Sequence, residues 1–479
     1  MLPRRGSPGS RPSGNGPPRS RPPGSGPPRS GSPGSGAPES GPLGTGPLRL
    51  DASAPDFEAG FQAFLERNRD TDENVDRVAA DIIADVRARG DAALIEYTQK
   101  FDKVDVAAVG LRVGDAERRA VAAEVPAEQR AALEFAAGRI EAFHRATLPR
   151  DVEYTDATGT RLGARYRPLE SVGVYVPGGT AAYPSSVLMN IVPARVAGVS
   201  RIVMVVPTPG GVLNPLVMLA AGIAGADEVW RIGGAQAVAA LAYGTESIRP
   251  VDKITGPGNA WVAAAKRRVF GRVGIDLIAG PSEILVVADG ANDPAWIAAD
   301  LLSQAEHDAS SQSVLITDDR AFADAVARAV DVDLAALARS AIAGASWRDN
   351  GAIIVVPDLA ACAPLVDRLA AEHVELALEM APAEALAAHI RHAGAIFLGR
   401  HTPEAIGDYV AGTNHVLPTS RAARFSGGLG VADFVKRTSL VSCTPEALAA
   451  LAPAALALAE AEGLGAHGRS VAIRLNRRG

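Results

Sequence analysis

The sequence contains very little cysteine: Cys362 and Cys443 are the only two in 479 residues. Two thiols are too few for a disulfide-stapled fold, and their spacing matches no Cys-x-x-Cys metal or redox motif. We therefore expect a protein of the reducing cytoplasm in which neither cysteine is a metal ligand.

Long apolar runs and an excess of basic residues are also missing. The longest apolar run, 447–459, is mostly alanine and is broken by Pro453. It is well short of the roughly 20 residues that a membrane-spanning helix needs. The formal net charge of -6 gives no general attraction for nucleic acid or anionic lipid. A small-molecule substrate is expected, with neither a membrane nor a nucleic-acid partner.

Residues 1–48 consist almost entirely of proline, glycine, serine and arginine. So few large apolar side chains cannot offset the cost of ordering the backbone, which is roughly 1–2 kcal/mol per residue. The segment is predicted to be a disordered extension. Its density of proline and glycine is incompatible with the amphipathic helix of a transit peptide.

From residue 49 onward, short β-branched segments alternate with alanine-rich stretches, which is typical of an α/β fold. Helices are expected within 57–100, 126–145 and 445–462. Continuous apolar strands joined by helical crossovers imply two doubly wound parallel sheets, one within 172–255 and one within 284–398, with a cleft between them. The strands are expected at 172–176, 202–206, 229–232, 284–287, 314–316, 353–356 and 396–398.

Seven of the eight histidines lie beyond residue 300, and most stand near a carboxylate or an amide. Imidazole is the commonest protein metal ligand and titrates near neutral pH, so this pattern is typical of a metal or proton-transfer site. Gln304 and His307 are three residues apart and would share one face of a helix. A glutamine oxygen is an unusual zinc ligand, so from spacing alone a solvated helix end explains this pair better.

Glu372 and His373 are adjacent, near the end of a helix expected to begin around Pro364. Neighbouring residues on a helix point in different directions, so the two groups would act on different atoms of a substrate. The structural alternative is a pair of charges at a helix C-terminus, where histidine interacts favourably with the helix dipole.

Two further acid and histidine pairs lie in glycine-rich segments. Asp408 and His415 are expected on a loop, where Asp408 could equally close a turn. Glu462 and His467 come directly after the last helix. An exposed histidine near a terminus usually has no function, so the sequence alone leaves both pairs open.

Glycine-rich turns stand where strands end, and two of them lead directly into helices whose free backbone amides could bind an anion. None is a Gly-x-Gly-x-x-Gly fingerprint, and a tight strand-to-helix turn is the commoner explanation for each. The residues alone therefore leave the cofactor open. The turns are 177–179, 233–236, 256–259 and 280–283.

Taken together, these segments resemble the histidinol dehydrogenase family, from residue 49 to the end of the chain. So many rare phrases in the family's order leave little room for coincidence. The resemblance rests on Val-Gly-Val-Tyr175-Val-Pro-Gly-Gly, Gly-Gly-Ala-Gln236-Ala, Thr-Gly-Pro-Gly-Asn259-Ala, Ala-Gly-Pro-Ser282-Glu, Asp-Leu-Leu-Ser-Gln304-Ala-Glu-His307, Ala-Glu372-His373, Gly-Asp408-Tyr, Gly-Thr-Asn-His415-Val-Leu-Pro-Thr, Phe425-Ser-Gly-Gly, Asp433-Phe-Val-Lys-Arg-Thr-Ser and Glu462-Gly-Leu-Gly-Ala-His467.

The resemblance implies a zinc-containing, NAD-dependent enzyme that oxidises L-histidinol through L-histidinaldehyde to L-histidine, the last step of histidine biosynthesis. It also implies a homodimer with shared active sites. The residues that it assigns are Gln304, His307, Asp408 and His467 of the partner subunit for zinc, Tyr175, Gln236 and Asn259 for NAD, and Ser282, His373, Glu462 and the four metal ligands for the substrate, with His415 nearby.

The resemblance also implies catalytic roles and a division of the chain. His373 would take the hydroxyl proton while NAD takes the hydride, and Glu372 would activate the water that attacks the aldehyde, without a cysteine nucleophile. The implied parts are an incomplete Rossmann-like domain at 70–171 and 281–429 with the metal and catalytic residues, a second one at 172–280 for NAD, and a helical and extended tail at 430–479, joined by 49–69, that intertwines in the dimer.

Two other classes of protein fit part of the sequence. A zinc hydrolase that uses Glu372 to activate water would explain the histidine and acid clusters but not the glycine turns. A two-lobed solute-binding protein would explain two α/β units around a cleft. It has no need of Glu372 and His373, however, and no secretion signal is visible.

Overall fold

The structure is a computed structural model that describes residues 46–67, 73–178, 183–278 and 280–475. The predicted disordered extension lies outside the described residues, apart from its last three positions. The first strand, β1, already begins there and spans Leu48–Asp51. None of the helices in the described ranges is long and apolar enough to cross a membrane.

The other strands follow in chain order. They are β2 (Val152–Thr155), β3 (Arg161–Pro168), β4 (Ser171–Tyr175), β5 (Arg201–Val205), β6 (Glu228–Trp230), β7 (Lys253–Thr255), β8 (Gly274–Ile275), β9 (Glu283–Ala288), β10 (Gln312–Thr317), β11 (Ala352–Val355), β12 (His373–Ala377), β13 (Ala395–Leu398) and β14 (Val435–Ser442). The seven strands expected from the sequence are confirmed, with ends that differ by at most two residues.

The helices separate most of these strands. They are α1 (Phe57–Leu65), α2 (Glu73–Arg89), α3 (Asp91–Asp102), α4 (Val106–Val109), α5 (Asp115–Ala122), α6 (Ala127–Ala146), α7 (Pro184–Ala197), α8 (Pro215–Ala224), α9 (Gly234–Tyr243), α10 (Ala260–Val269), α11 (Pro294–Ala305), α12 (Arg320–Leu334), α13 (Ser340–Asn350), α14 (Ala363–Leu369), α15 (Met380–Ala387), α16 (Glu404–Tyr409), α17 (Pro445–Ala461) and α18 (Gly465–Leu475).

Side-chain caps mark where the sequence starts helices near the strand ends. The Asn259 side chain accepts a hydrogen bond from the Val262 N–H (3.2 Å) at the start of α10. Asp293 accepts one from the Ala295 N–H (2.9 Å) at the start of α11. Such caps satisfy amides that the first helical turn leaves free. The helices that follow β7 and β9 therefore begin at positions fixed by the local sequence.

The first parallel sheet has five strands in the order β6-β5-β4-β7-β8. The chain builds outward from β4 to β6 on one side, and then returns past β4 to place β7 and β8 on the other. This reversal creates a topological switch point beside β4, at whose carboxyl edge ligands bind in doubly wound sheets. The predicted doubly wound sheet is confirmed.

The second parallel sheet has six strands in the order β1-β11-β10-β9-β12-β13. From β9 onward it repeats the strand order of the first sheet, with its reversal between β9 and β12. Every residue of β9 and of β12 is buried, as expected for central strands covered on both faces. The second predicted sheet is confirmed as well.

A third sheet, antiparallel and three-stranded in the order β14-β3-β2, was not predicted from the sequence. Along β14, seven of the eight residues are exposed, and all four residues of β2 are exposed. Without a buried face, these strands lack the alternation of apolar and polar residues by which strands are predicted. The strand β14 is followed by α17 and α18, which pack against each other.

Two early segments of the chain pack into the cores of the two parallel sheets. The strand β1 and the helix α1 contribute to the six-stranded sheet and its core. The helices α2 and α3, within 70–171, contribute to the core of the five-stranded sheet. In both cases the apolar face of an amphipathic segment is buried against the nearest sheet. The division of the chain into domains stays a prediction.

Candidate active site

His373 stands at the start of a strand. The helix α14 ends at Leu369, because Ala370 takes a left-handed conformation with φ of 47°, and β12 begins at His373. The expected helix end at Glu372 and His373 is therefore wrong. The five residues from His373 are buried between β9 and β13, where strand pairing satisfies backbone groups that a helix end would leave free.

The first residue of β9 fixes both members of this pair. The Glu283 N–H donates to Glu372 Oε2 (3.0 Å), and His373 Nδ1 donates to the Glu283 carbonyl oxygen (3.0 Å). This bond assigns a proton to Nδ1 and leaves Nε2 as the basic nitrogen of a neutral ring. Nε2 is buried and has no hydrogen-bond partner among the described residues.

The helix α11 brings Gln304 to the same place. Its Nε2 donates to Glu404 Oε1 (2.7 Å) and lies 3.2 Å from His373 Nδ1. Its Oε1 is buried, again without a partner in the part of the chain that the structure describes. An unpartnered buried oxygen is uncommon and requires an explanation such as a missing ion or ligand.

His307 lies in the turn that directly follows α11 rather than within the helix. The helix ends at Ala305, and the His307 N–H closes the following turn on the Gln304 carbonyl oxygen (3.1 Å). Its side chain is exposed. Partial burial lowers the pKa of the His307 imidazole, while the charge of Asp408 raises it. His307 is therefore within electrostatic range of Asp408.

The short helix α16 adds two carboxylates. Glu404 and Asp408 are four residues apart and so share one helical face. Each has a carboxylate oxygen 3.7 Å from His373 Nε2. The ligand atoms of these three residues all lie within 4.8 Å of one another, which is compact enough for one metal ion.

The helical position of Asp408 corrects the expectation of a loop. Pro403 precedes α16 and Glu404 occupies its first turn, where an acid interacts favourably with the helix dipole. The Glu404 carboxylate is also held by Ser303, whose Oγ donates to Glu404 Oε2 (2.9 Å). The tertiary contact with α11 thus stabilises a helix that the glycine-rich sequence did not suggest.

Burial and charge act in opposite directions on the pair at the start of β12. Burial raises the pKa of the Glu372 carboxyl to about 8. For His373, burial alone would lower the pKa, but the nearby carboxylates of Glu372, Asp408 and Glu404 outweigh it and raise the pKa to about 10. In this surplus of negative charge, His373 holds a proton at neutral pH unless a cation offsets the carboxylates.

A second pair of acids lies beyond this cluster. Asp300 precedes Gln304 by one helical turn, and Glu375 follows His373 by two strand positions, so each pair of residues shares a face. Burial raises the pKa of Asp300 to about 6, and burial together with the Asp300 charge raises that of Glu375 to about 9. At neutral pH the two residues together therefore carry less negative charge than two exposed carboxylates would.

His415 connects the cluster to the five-stranded sheet. Its Nδ1 donates to the Asp408 carbonyl oxygen (3.0 Å), and its Nε2 lies 3.4 Å from Ser186 Oγ at the start of α7. The helix α7 follows β4 in the five-stranded sheet. His415 therefore lies where groups from both parallel sheets meet, consistent with the predicted cleft.

The three residues expected to contact NAD stand where the strands of the five-stranded sheet end. Tyr175 is the last residue of β4, Gln236 lies in the first turn of α9 after β6, and Asn259 caps α10 after β7. Tyr175 Oη accepts a hydrogen bond from the Gly234 N–H (3.0 Å). Gln236 Oε1 is buried and lacks a partner among the described residues, whereas Asn259 is exposed.

Ser282 lies next to the residue that holds Glu372 and His373, and the residues of the tail do not. Ser282 directly precedes Glu283, whose peptide groups hold Glu372 and His373. Glu462 and His467 are exposed, at the end of α17 and within α18. No described contact joins either tail residue to the cluster around His373.

Comparisons with known proteins identify the family. The sequence model of the histidinol dehydrogenase family matches residues 65–475. The chain belongs to the histidinol dehydrogenase family. The resemblance read from the sequence is confirmed. The chain is an oxidoreductase of histidine biosynthesis that acts on a small molecule, which excludes a zinc hydrolase and a solute-binding protein.

Individual histidinol dehydrogenases are similar over nearly their whole length. The enzyme from Rhodospirillum rubrum is 64% identical over 432 residues, which is 90% of this chain and 99% of the relative. The enzyme from Mesorhizobium japonicum is 62% identical over 429 residues, with the same two shares. The crystal structure of histidinol dehydrogenase from Elizabethkingia anophelis matches with a TM-score of 0.85 at 35% identity, covering 90% of this chain and 98% of that one.

Several residues of this histidinol dehydrogenase site escaped the sequence reasoning. Glu404, Asp300 and Glu375 were not singled out, although Glu404 stands four residues before Asp408 and so on the same helical face. This four-residue spacing was the signal in the sequence that could have identified Glu404. The two cysteines are unpaired, and burial raises the pKa of the Cys362 thiol to about 12, so Cys362 is not a thiolate nucleophile at neutral pH.

Proposed function

We propose that this chain oxidises L-histidinol to L-histidine in two NAD-dependent steps, with a zinc ion in the cluster around Gln304 and Asp408. In the first step the alcohol loses a proton to a base and a hydride to NAD, which gives the aldehyde. Water then adds to the aldehyde, and the hydrate loses a second proton and a second hydride, which gives the acid. Family membership supports the overall reaction, and the geometry of His373 supports the mechanism.

The observation that carries this proposal is the state of the His373 ring. Its Nδ1–H is fixed on the Glu283 carbonyl oxygen, and its Nε2 is buried and unpartnered among the described residues. A base needs a free nitrogen within hydrogen-bond reach of the substrate proton and an orienting partner on the other nitrogen. We assign the alcohol proton to His373 Nε2.

We assign the activation of water to Glu372. One of its oxygens is held by the Glu283 N–H (3.0 Å), and its pKa is raised by burial to about 8. A carboxylate with a raised pKa is a stronger base than an exposed one, so it removes a proton from water more readily. Because the same Glu283 peptide holds His373, the two bases keep a fixed relative position.

The residues present fit a zinc ion. Gln304 Oε1 is a buried oxygen without a described partner, Asp408 supplies a carboxylate, and His307 supplies an exposed imidazole nearby. Such a mixed nitrogen and oxygen set is within the ligand chemistry of zinc. A bound zinc ion would hold the amine and imidazole nitrogens of the substrate and offset the carboxylate charge that otherwise keeps His373 protonated.

The carboxyl edge of the five-stranded sheet fits NAD, which would accept both hydrides. Tyr175 ends β4, Gln236 lies in the first turn of α9, and Asn259 caps α10. Two helix N-termini and one amide oxygen that is unpartnered among the described residues are therefore available there. Helix N-termini attract phosphate groups because their free N–H groups carry partial positive charge. We therefore assign NAD to this edge.

We further propose a cytoplasmic homodimer with shared active sites. Gln304, His307 and Asp408 supply three ligands from one chain, while Glu462 and His467 are exposed on the tail and contact nothing in this cluster within the described ranges. Zinc in proteins is usually bound by at least four ligands in total, and the substrate or a residue of another chain can supply the rest. His467 of the partner subunit would complete the site, and Glu462 of the partner subunit would contact the substrate.

The reaction is tested by mixing zinc-loaded protein, NAD and L-histidinol and recording NADH absorbance together with the histidine formed. Two NADH per histidine are expected. L-Histidinaldehyde as substrate should give one NADH per histidine, which isolates the second step. A folded, metal-loaded protein that forms no NADH contradicts the proposal.

The shared site is tested by mixing two inactive variants after unfolding and refolding them together. His467→Ala chains keep His373, and His373→Asn chains keep His467. Random pairing should restore about a quarter of the wild-type activity, because half of the dimers contain one intact site of two. No restoration, with both variants folded and dimeric, would show that each chain builds its own site.

A further inference from the structure

Asp102 reaches the carboxyl edge of the five-stranded sheet from an earlier part of the chain. It is the last residue of α3, and its Oδ2 accepts a hydrogen bond from the Thr208 N–H (3.1 Å). Thr208 follows the end of β5 by three residues. The intervening residues, Val206 and Pro207, supply no acid of their own.

The end of β5 has a special place in a sheet of this strand order. β5 is the strand that the chain forms directly after β4 and its glycine turn, on the side away from β7. In dinucleotide-binding sheets of this kind, an acidic residue that follows the glycine turn at this point binds a ribose hydroxyl. Here the carboxylate is present at the same point of the fold, although another segment of the chain carries it.

Gly178 after β4, Pro207 after β5 and Gly233 after β6 lie close together, and Pro207 directly precedes Thr208 in the chain. A Cβ atom added to Gly178 would lie 2.6 Å from the Pro207 carbonyl oxygen, and one added to Gly233 would lie 2.6 Å from Pro207 Cβ. Only glycine permits this approach, because real Cβ atoms do not come so close to other heavy atoms. Gly178, Pro207 and Gly233 therefore form one junction at the sheet edge.

Two buried polar side chains near this junction have atoms without a partner in the described part of the chain. Thr208 and Gln236 are 1% and 3% exposed, and Thr208 Oγ1 and Gln236 Oε1 have no partner among the described residues. Burial raises the pKa of Tyr175 to about 12, and the Asp102 charge adds to this rise, so Tyr175 lies within range of Asp102. Buried polar atoms without partners are rare in native proteins.

A purely structural role does not explain why residue 102 is charged. Asp102 stands in the last turn of α3, where the helix dipole disfavours an anion. Burial raises the pKa of its carboxyl, and the Thr208 N–H is the one group that lowers it, with no cation contributing among the described residues. A neutral asparagine would accept the same hydrogen bond without either unfavourable effect.

We propose that Asp102 accepts hydrogen bonds from the adenosine ribose hydroxyls of NAD and thereby selects NAD over NADP. The inference rests on the NAD site of the proposed function. A carboxylate has acceptor sites for two hydroxyl groups beside the Thr208 N–H. The 2′-phosphate of NADP would bring a second anion against the carboxylate, which electrostatic repulsion disfavours.

The test measures nucleotide binding by calorimetry, without substrate turnover. Zinc-loaded wild type, Asp102→Asn and the control Asp105→Asn are titrated with NAD, NADP and the 2′-deoxyadenosine analogue of NAD. Asp105 is an exposed acid three residues away that also accepts a backbone hydrogen bond, from the Ala107 N–H (3.1 Å). The control should bind all three nucleotides as the wild type does.

For Asp102→Asn, NAD affinity should fall about tenfold and NADP affinity should rise, because a hydrogen bond to a charged group and a repulsion are both lost. Removal of the 2′-hydroxyl should weaken binding to the wild type about tenfold and weaken binding to Asp102→Asn much less, because an uncharged amide is a weaker partner for the hydroxyl. If Asp102 had only a structural role, removal of the 2′-hydroxyl would weaken binding to the wild type and to Asp102→Asn by the same factor.

Each unfavourable result has a distinct meaning. If the wild type binds no NAD, the NAD site of the proposed function is wrong. If the wild type binds NAD and Asp102→Asn keeps the same preference for NAD and for the 2′-hydroxyl, the assignment of Asp102 alone is overturned. If Asp102→Asn does not fold, Asp102→Glu decides, since it keeps the carboxylate and should still reject NADP; equal binding of both nucleotides by that variant would overturn the proposal.

Discussion

The five-stranded and six-stranded sheets repeat one strand order but use opposite edges. In the five-stranded sheet, Tyr175 and Asn259 lie at the carboxyl edge, where α9 and α10 begin. In the six-stranded sheet, His373 and Glu283 are the first residues of their strands, at the amino edge, where α11 ends close to Gln304. The same topology thus offers two chemically different surfaces.

The difference follows from the ends of the helices. Helix N-termini carry partial positive charge and attract phosphates, while helix C-termini carry partial negative charge and attract cations. At the amino edge, the carboxylates of Glu404 and Asp408 add to the negative end of α11. One edge is suited to the pyrophosphate of a dinucleotide and the other to a metal ion, so a repeated fold brings an anion site and a cation site together.

The largest effect is expected from removing the proposed base at the amino edge. His373→Asn should lower kcat by roughly 10²–10⁴ because the proton acceptor is lost, while NAD affinity stays near the wild-type value. The exposed His401, outside the cluster, provides the control His401→Asn, which should keep full activity. NADH formation and calorimetric NAD binding measure the two properties; retained turnover in His373→Asn would contradict its role.

The carboxyl edge should be disrupted by a change in its buried ion pair. Lys266 and Asp276 form a buried ion pair that also binds the backbone of Gly256. Lys266 Nζ donates to the Gly256 carbonyl oxygen (3.0 Å), and Asp276 Oδ2 accepts from the Gly256 N–H (2.8 Å). Lys266→Met should lower the free energy of unfolding by about 3–5 kcal/mol, since it leaves a buried charge unpaired. It should also weaken NAD binding.

The control for that change lies on the same helix. Arg268 forms an exposed ion pair with Asp76, so Arg268→Met should change the unfolding free energy by no more than about 1 kcal/mol. Urea unfolding followed by circular dichroism measures both variants. Equal losses for the buried and the exposed pair would mean that Gly256 is not held by Lys266 and Asp276.

Acid should destabilise the protein through His144, a buried residue of α6. Burial lowers its folded-state pKa to about 4 from 6.5. Because the unfolded chain binds the proton more tightly, stability is lost as pH falls from about 6.5 toward 4, by up to about 3 kcal/mol. His144→Phe should remove this part of the pH dependence, which urea unfolding at pH 7 and pH 4.5 measures. If the variant loses as much unfolding free energy between these pH values as the wild type does, the assignment to His144 is refuted.

Alkali should act in the opposite direction on the six-stranded sheet. Burial and the Asp300 charge raise the folded-state pKa of Glu375 to about 9 from 4.5, so the unfolded chain releases the proton first and stability falls as pH rises between these values. Glu375→Gln keeps the size of the side chain. Between pH 5.5 and pH 8, its free energy of unfolding should rise relative to that of the wild type by more than about 1 kcal/mol. The same urea assay measures this gain, and its absence would show that Glu375 is ionised in the fold.

The sequence predicted the two parallel sheets because their evidence is local. Each central strand is a short apolar run between helical segments, and this pattern does not depend on distant contacts. The extension of the six-stranded sheet by β1, the antiparallel pairing of β14 with β3 and the strand at His373 were missed. In each of these cases, pairing with a distant strand decides the conformation, as local propensity for strands is weak.

By itself the sequence determined the fold class, the family and the residue types that the chemistry needs. Only the tertiary structure decided which atoms are free to react. Gln304 meets His373 and Glu404 across 69 and 100 residues of chain, and one peptide at Glu283 orients both Glu372 and His373. Spacing along a chain fixes which side chains share a face of one element, but the register between elements fixes which polar atoms are left without a partner, and those atoms define the site.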